Sequence, residues 1–417
     1  MRGLCVILHR YIGLATALFL VLVGLTGSVL AFREPISAWL APDLYAPATH
    51  GPVLSPDALA QRIAAADPRA KVVFFPVGMV EGKGVSVRVG PRESLGYDTL
   101  WLDPVSGQEL GRTDSQAVLP TTRSFVDWLY HLHRQLAIPG RWGEWILGGV
   151  GLLWFLDCFI GAYLTFPRGH NVLRRWWPAW KVRHTRLNYD LHRAGGLWPW
   201  LLLSVMALSS VYFELYDELF MPVFRTVATV TREPFDIPPP APDPTPAAVS
   251  MSQAAVIATN EAHARHWTAT ADGIYHDVAR RFWFVYFEKS ESQWATAGSY
   301  GVFVDDRSGA VTYVRTPGGT AGDVFIAWLS ALHMGNVLGT PYKVVLVVLG
   351  IVIAGLSVTG VVIWWRKLRS RHAMHRRKVA GTESPSALAP SSATTLLCLI
   401  PGILLAGTLL GAVQYVF

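Results

Sequence analysis

The chain has 417 residues, of which 51% are hydrophobic and only 16% charged, against about 25% charged in soluble domains, and its mean hydropathy is +0.31. This profile excludes an ordinary soluble enzyme. The net charge of +7 and pI near 9.4 would suit nucleic acid, but the basic residues gather beside apolar segments without base-stacking aromatics in a folded domain, so membrane lipid rather than nucleic acid is the expected partner.

Taken in chain order, windows of about 20 apolar residues, the length that crosses a bilayer, alternate with longer polar segments. Residues 1–32 read as transmembrane helix 1, whose apolar run exceeds the h-region of a cleaved signal peptide. Residues 33–140 read as an external module, with a helix from Ser55 to Ala66 capped by the serine and strands over 71–80, 84–89 and 99–103. Transmembrane helix 2 covers 141–166 and a basic loop 167–191. Transmembrane helix 3 covers 192–215. Residues 216–340 form a second external module, in which a Pro-rich extended stretch over 234–246 precedes a helix over 252–267 and strands over 281–288, 300–305 and 311–315. Transmembrane helix 4 covers 341–365, a basic segment and Ser/Ala/Pro-rich linker 366–393, and a fifth transmembrane helix 394–417. The two basic segments flank spans on one side, which the positive-inside bias makes cytoplasmic. The N-terminus is then cytoplasmic and both modules lie outside. Cys5, Cys158 and Cys398 fall in separate spans, which argues against a disulfide framework, and no Cys-x-x-Cys-His motif for covalent c-type haem occurs.

The chain repeats itself. His9-Arg10-Tyr11-Ile12-Gly13-Leu14 matches His192-Arg193-Ala194-Gly195-Gly196-Leu197, each opening a span, and Asp103 to Gly107 matches Asp305 to Gly309, each an external turn. The sharpest pair is Phe125-x-x-Trp128-Leu129-x-x-Leu132-His133 against Phe325-x-x-Trp328-Leu329-x-x-Leu332-His333, five identities at an offset of 200. The predicted fold is therefore an integral membrane α-helical bundle, with four core transmembrane helices as a tandem parallel repeat plus a fifth C-terminal helix, joined to two small external α+β modules.

Ionisable residues inside a bilayer are costly and mark functional positions. His9 and His192 sit near the cytoplasmic ends of spans one and three, and His133 and His333 sit at the external ends of spans two and four. Facing imidazoles across a bundle suit the axial positions of haem iron, which gives two haems, one per side. On span one, His9 shares its stripe with Gly13, Ala17 and Gly24, small residues that leave room for a flat macrocycle or for close helix packing. His131 competes with His133, but its repeat equivalent is Ala331. Arg10, Arg193 and Arg134 each follow a proposed ligand and either pair with haem propionates or snorkel to headgroups. Trp154, Phe155 and Phe159 of span two are candidates for the space between the haems, and His263, His266 and His276 are expected on a solvated face. No zinc-protease, nucleophile-elbow, phosphate-loop or dinucleotide motif is present, so no catalytic residue is assigned and electrons would enter from a separate cytoplasmic donor.

The histidine-opened spans, the Leu-His before spans two and four, and the closing Gly161-Ala162-Tyr163-Leu164-Thr165-Phe166-Pro167-Arg168 and Gly360-Val361-Val362-Ile363-Trp364-Trp365-Arg366 resemble the PepSY-associated transmembrane helix family. The likeness covers about residues 1–370, and within that family the chain looks like the FoxB type of ferrisiderophore reductase. It implies two b-type haems, PepSY-like periplasmic modules, a bacterial inner-membrane location, and electron delivery from a cytoplasmic donor to a periplasmic ferric siderophore. Carried onto this chain, it implies His9 and His192 as ligands of the cytoplasmic-side iron and His133 and His333 as ligands of the periplasmic-side iron. Two other classes compete. A histidine-lined metal-ion transporter would carry more acidic residues in its spans than Asp157 and Glu214. A haem-free PepSY envelope regulatory protein would leave the symmetric histidines unexplained.

Overall fold

The computed structural model describes residues 1–47, 49–165, 178, 184–288 and 297–380. The predicted fifth span and residues 167–177 and 179–183 of the basic loop lie outside the described residues. In chain order the helices are α1 (Arg2–Leu30), α2 (Arg33–Leu40), α3 (Pro42–Tyr45), α4 (Pro56–Ala66), α5 (Arg92–Leu95), α6 (Phe125–Gln135), α7 (Trp142–Thr165), α8 (His184–Leu197), α9 (Trp200–Glu214), α10 (Met221–Val227), α11 (Met251–Ala264), α12 (Ala321–Met334) and α13 (Gly339–Ala380). The strands are β1 (Lys71–Pro76), β2 (Val85–Gly90), β3 (Thr99–Leu102), β4 (Glu109–Thr113), β5 (Thr270–Asp277), β6 (Phe282–Glu288), β7 (Tyr300–Asp305) and β8 (Val311–Arg315). They divide into a helical unit (Met1–Ala31, Leu132–Met221 and the chain from Lys343) and a sheet unit (Phe32–His131 and Pro222–Tyr342).

In the helical unit, α1, α7 and α13 are long and apolar enough to cross a membrane, and α8 with α9 makes a fourth span if the bent pair counts as one. Side chains such as Leu25, Phe159 and Ile351 are about half exposed. Water would penalise so much open apolar surface, whereas lipid does not. Helices approach closely where side chains are absent: a Cβ at Gly24 of α1 would lie 2.6 Å from the Gly350 carbonyl of α13, and Ser28 Oγ donates to the Val347 carbonyl there at 3.1 Å. Span three differs from its predicted form. It is not one helix over 192–215 but two, meeting at 67°, because Pro199 lacks an N–H and cannot continue α8. Trp200 then opens α9 and donates its Nε1–H to the Cys158 carbonyl of α7 at 2.9 Å. Cys5 and Cys158 are free thiols.

In the sheet unit the two predicted modules are not separate. All eight strands form one antiparallel sheet in the order β4-β3-β2-β1-β5-β6-β7-β8. Each half is a four-strand meander preceded by a helix, and β1 joins β5 through Phe74 opposite Tyr275 and Phe75 opposite Ile274. Adding 200 to Phe74 and Phe75 gives Ile274 and Tyr275, so these two pairs exchange under a local two-fold axis. The join removes two exposed strand edges. Strands β4 and β5 carry charged or glycine-interrupted sequences and were absent from the prediction.

The sheet is covered on one face by α4 and α11, with Leu59, Ile63, Ala254 and Ala258 packed on Phe75, Ile274, Val285 and Val302. The alternation Val85, Val87, Val89 turns one side of β2 inward. Serine caps start both helices, Ser55 accepting from Ala58 N and Ser250 from Gln253 N, and the Asp57 carboxylate ties them by accepting from Ser250 Oγ at 2.7 Å. A second cluster holds Phe282, Phe284 and Phe303 with Phe235 against them. His276, predicted to be solvated, is instead held by the register opposite Trp283. It stacks on that ring at 3.9 Å and bonds buried Asp306 through Nε2 at 2.9 Å.

Asp103 and Asp305 close the two related turns. Burial opposes ionisation of Asp103, but hydrogen bonds from Thr49, Ser106 and the Val105 and Ser106 amides outweigh it and hold the pKa below the ordinary carboxylate value. Burial likewise opposes ionisation of Asp305, and Ser308, the Arg307 amide and the Arg281 charge hold it low. A depressed folded pKa gives stability that is complete above the unfolded value, about 4, and disappears as pH falls through the folded one. Acid melts monitored by circular dichroism should therefore show loss of stability beginning below about pH 4, and Asp103→Asn with Asp305→Asn should flatten that limb while lowering stability at neutral pH. Phe75, fully buried at the join, should cost about 3–5 kcal/mol when changed to Ala; chemical denaturation of the detergent-solubilised protein, beside the exposed-site change Val73→Ala, measures it.

Candidate functional site

His9 on α1 and His192 on α8 face each other within the helical unit, their ring centroids 6.1 Å apart and their planes inclined by 59°. His9 Nδ1 lies 2.9 and 3.0 Å from the two carboxylate oxygens of Asp157 on α7. His192 Nδ1 lies 3.0 Å from both the Leu356 carbonyl and Thr359 Oγ1 on α13. A carbonyl and a carboxylate oxygen accept, so Nδ1 is the donor in each ring, and in the neutral form of either imidazole the lone pair lies on Nε2. Glycines let the rings lie against these helices. A Cβ at Gly161 would sit 3.5 Å from His9 Cε1, and one at Gly360 only 3.1 Å from His192 Cε1.

At 6.1 Å between centroids the two rings are near enough that they would share one metal ion, imidazole–metal bonds being about 2.0 Å. The pair opens into a cavity of about 340 Å³ lined also by Arg10, Arg193, Gly13, Gly196 and Trp154, in the size range of small-molecule and cofactor sites. A Cβ at Gly13 would meet nothing within 4 Å, so the predicted small-residue stripe borders open space at that point. Arg193 holds Asp190 at 3.2 Å and keeps a buried Nε without a partner. Arg10 has no ion-pair partner among the described residues. These residues fit an anionic, planar, metal-centred cofactor.

His133 on α6 also belongs to the helical unit. Its Nδ1 lies 2.8 Å from Thr26 Oγ1 of α1. The Thr26 hydroxyl donates to the Leu22 carbonyl at 2.8 Å, so it accepts from His133 and again leaves Nε2 with the lone pair. Its neighbour Gly27 gives the ring room, a Cβ there meeting His133 Cε1 at 3.1 Å. His333 is half-buried in the last turn of α12, in the sheet unit, as is His131 at the end of its segment of α6. Of the aromatics proposed as an electron path, Trp154 lines the cavity, while Phe155 and Phe159 stack edge to face at 5.1 Å and Phe159 meets Trp200 at 5.5 Å.

Arg134 has a strong partner already. Its Nη2 donates to buried Glu144 at 3.0 Å, and Glu144 also accepts from Gln135 and from Arg141 Nε at 3.2 Å. Arg141 bridges onward to Glu218 at 2.8 Å. The residues that sequence patterns missed are the imidazole partners. Thr26-Gly27 and Thr359-Gly360 are the same dipeptide, a hydroxyl for Nδ1 beside a gap for the ring, and that recurrence was available as a signal.

Membrane-crossing helices bearing a paired-histidine cavity, in one chain with an eight-stranded sheet, define a helical membrane protein with a substantial α+β unit. The chain belongs to the PepSY-associated TM region family, whose model matches residues 6–367. Among curated proteins, nothing matches it.

Glu144→Ala would strand Arg134, Gln135 and Arg141. The arginines are about half exposed and rehydrate, so the expected loss is about 1–2 kcal/mol, read as a lower melting temperature in detergent, with Glu144→Gln in between.

Proposed function

We propose that this chain is a di-haem electron-transfer protein of the bacterial inner membrane, a ferric-siderophore reductase with its N-terminus cytoplasmic and its sheet-forming segments periplasmic. His9 and His192 would hold the cytoplasmic-side b-type haem, and His133 and His333 the periplasmic-side one. The observation that carries this reading is the His9–His192 spacing of 6.1 Å, with both Nδ1 protons given outward and both Nε2 lone pairs left for iron. Two b-type haems so bound would supply one-electron redox chemistry between a cytoplasmic donor and a periplasmic ferric siderophore, whose iron is released on reduction because hard oxygen donors grip the ferrous ion less tightly.

The residues themselves do the holding and the screening. Asp157, Leu356, Thr359 and Thr26 fix ring orientation and tautomer, as partners of the non-ligating nitrogen do in metal sites generally. Arg10 and Arg193 line the cavity and present guanidinium donors suited to propionate carboxylates. Arg134 would serve the second site with the donors Glu144 does not take.

The test is haem content by absorption spectrum and pyridine haemochrome. Wild type should contain two b-type haems per chain, and His9→Ala and His333→Ala should each lose one. Wild-type protein without haem, after expression with ample haem supply, sinks this reading and moves the haem-free regulatory and metal-transport alternatives ahead.

A further inference from the structure

Three of the four proposed ligand imidazoles have their Nδ1 partners defined, and one partner is unlike the others. His192 gives its proton to a backbone carbonyl and a threonine hydroxyl, and His133 gives its proton to a threonine hydroxyl. Of these three, it is His9 whose Nδ1 faces a carboxylate, with both oxygens of Asp157 within 3.0 Å. The difference is not forced by packing. Asp157 stands four residues before Gly161, and Leu356 stands four residues before Gly360, so the two rings rest on equivalent places of α7 and α13. At the second place the Leu356 backbone carbonyl and the Thr359 hydroxyl hold the ring. A carboxylate buried in an apolar span, with Asp157 only 9% exposed, is therefore an addition to what ring placement requires.

We propose that Asp157 is a positioning residue that lowers the reduction potential of the His9–His192 site. The inference rests on the haem reading given above. A carboxylate on the Nδ1–H strengthens imidazole as a donor to the metal. Its negative charge, in a low-dielectric span, also favours the more positive ferric state over the ferrous one. Both effects act in the same direction. Neutral hydroxyl and carbonyl partners supply neither to the same degree. A cytoplasmic-side site more reducing than the periplasmic-side site is the order of potentials that outward electron flow requires, and the charge beside His9 acts in that direction.

Spectroscopic redox titration of the purified, haem-loaded full chain tests the proposal, with the His333→Ala protein identifying which midpoint belongs to the His9–His192 site. Asp157→Asn keeps an acceptor but removes the charge. It should shift that site's one-electron equilibrium towards the reduced form by roughly tenfold, about 59 mV, leave the other site in place, and change the low-spin ferric electron paramagnetic resonance signal of that site alone. Asp157→Glu should restore both the potential and the signal. Unchanged midpoints in Asp157→Asn with both haems bound overturn the proposal, as does a shift confined to the other site. If Asp157→Asn loses the haem, Asp157→Thr, which copies the hydroxyl partner of His192, is titrated in its place. Loss from both neutral variants with retention in Asp157→Glu also upholds a role for the charge, whereas loss from all three reduces Asp157 to packing and overturns it. Wild-type protein lacking haem is a different result, the failure of the haem reading itself, and it is established before any variant is titrated.

Discussion

A polar ring in hydrocarbon needs a partner for its N–H, and in the helical unit that requirement ties the helices together. Water is absent from a bilayer core, so each buried donor is satisfied within the protein or costs several kcal/mol. His9 joins α1 to α7, His192 joins α8 to α13, and His133 joins α6 to α1. Each bond crosses between helices, and each is accompanied by a glycine that brings the backbone of the second helix against the ring. The same bonds decide the tautomer. Packing and ligand chemistry are thus set by one group of contacts, since a helix shift that broke an Nδ1 bond would also release the proton pattern that leaves Nε2 free.

Much of the helical unit was legible because its signals are local. Apolar length marks α1, α7 and α13, and His9, His192, His133 and His333 stand out in a duplicated frame. The bend at Pro199 was less legible, because the apolar run over 192–215 continues unbroken through it and only the missing amide interrupts the helix. Partners of the rings were harder still. Thr26 and Thr359 look like ordinary span residues, since threonine in a helix can return its hydroxyl to its own backbone, as both do. Their second role depends on which helix lies opposite. Asp157 was visible as an intramembrane acid, but its place against His9 follows from the crossing of α1 and α7, which periodicity does not encode.

The sheet shows the same division between local and distant information. Helix α4 with its Ser55 cap lies where the sequence puts it, α11 begins one residue before the predicted 252–267 helix under a Ser250 cap and ends at Ala264, and β2, β3, β6, β7 and β8 lie where alternation predicts them. The merger into one sheet was not legible, because β1 and β5 are about 200 residues apart and an edge strand carries no mark naming its partner. A physical reason for the merger exists all the same. Two four-strand meanders would each expose a strand edge, β1 with Val72 to Phe75 and β5 with Ile274 and Tyr275, and pairing Phe74 with Tyr275 and Phe75 with Ile274 covers both at once. Because the pairing is antiparallel and the strands are equivalent, a single local two-fold relation satisfies both edges.

Duplication thus builds symmetry into both units, and the departures from it carry the interest. Position for position, Asp157 answers to Leu356 and His131 to Ala331. A strictly symmetric chain would place each ring in the same environment and give paired sites no energetic order. Changing the frame itself would disturb the glycine contacts that let the rings seat. A side chain next to a ring can change while the helix crossing stays, because His192 demonstrates that backbone carbonyl and hydroxyl suffice to hold an imidazole. Charge beside His9 is therefore separable from the geometry of His9, and a duplicated scaffold can acquire direction through the first without losing the second.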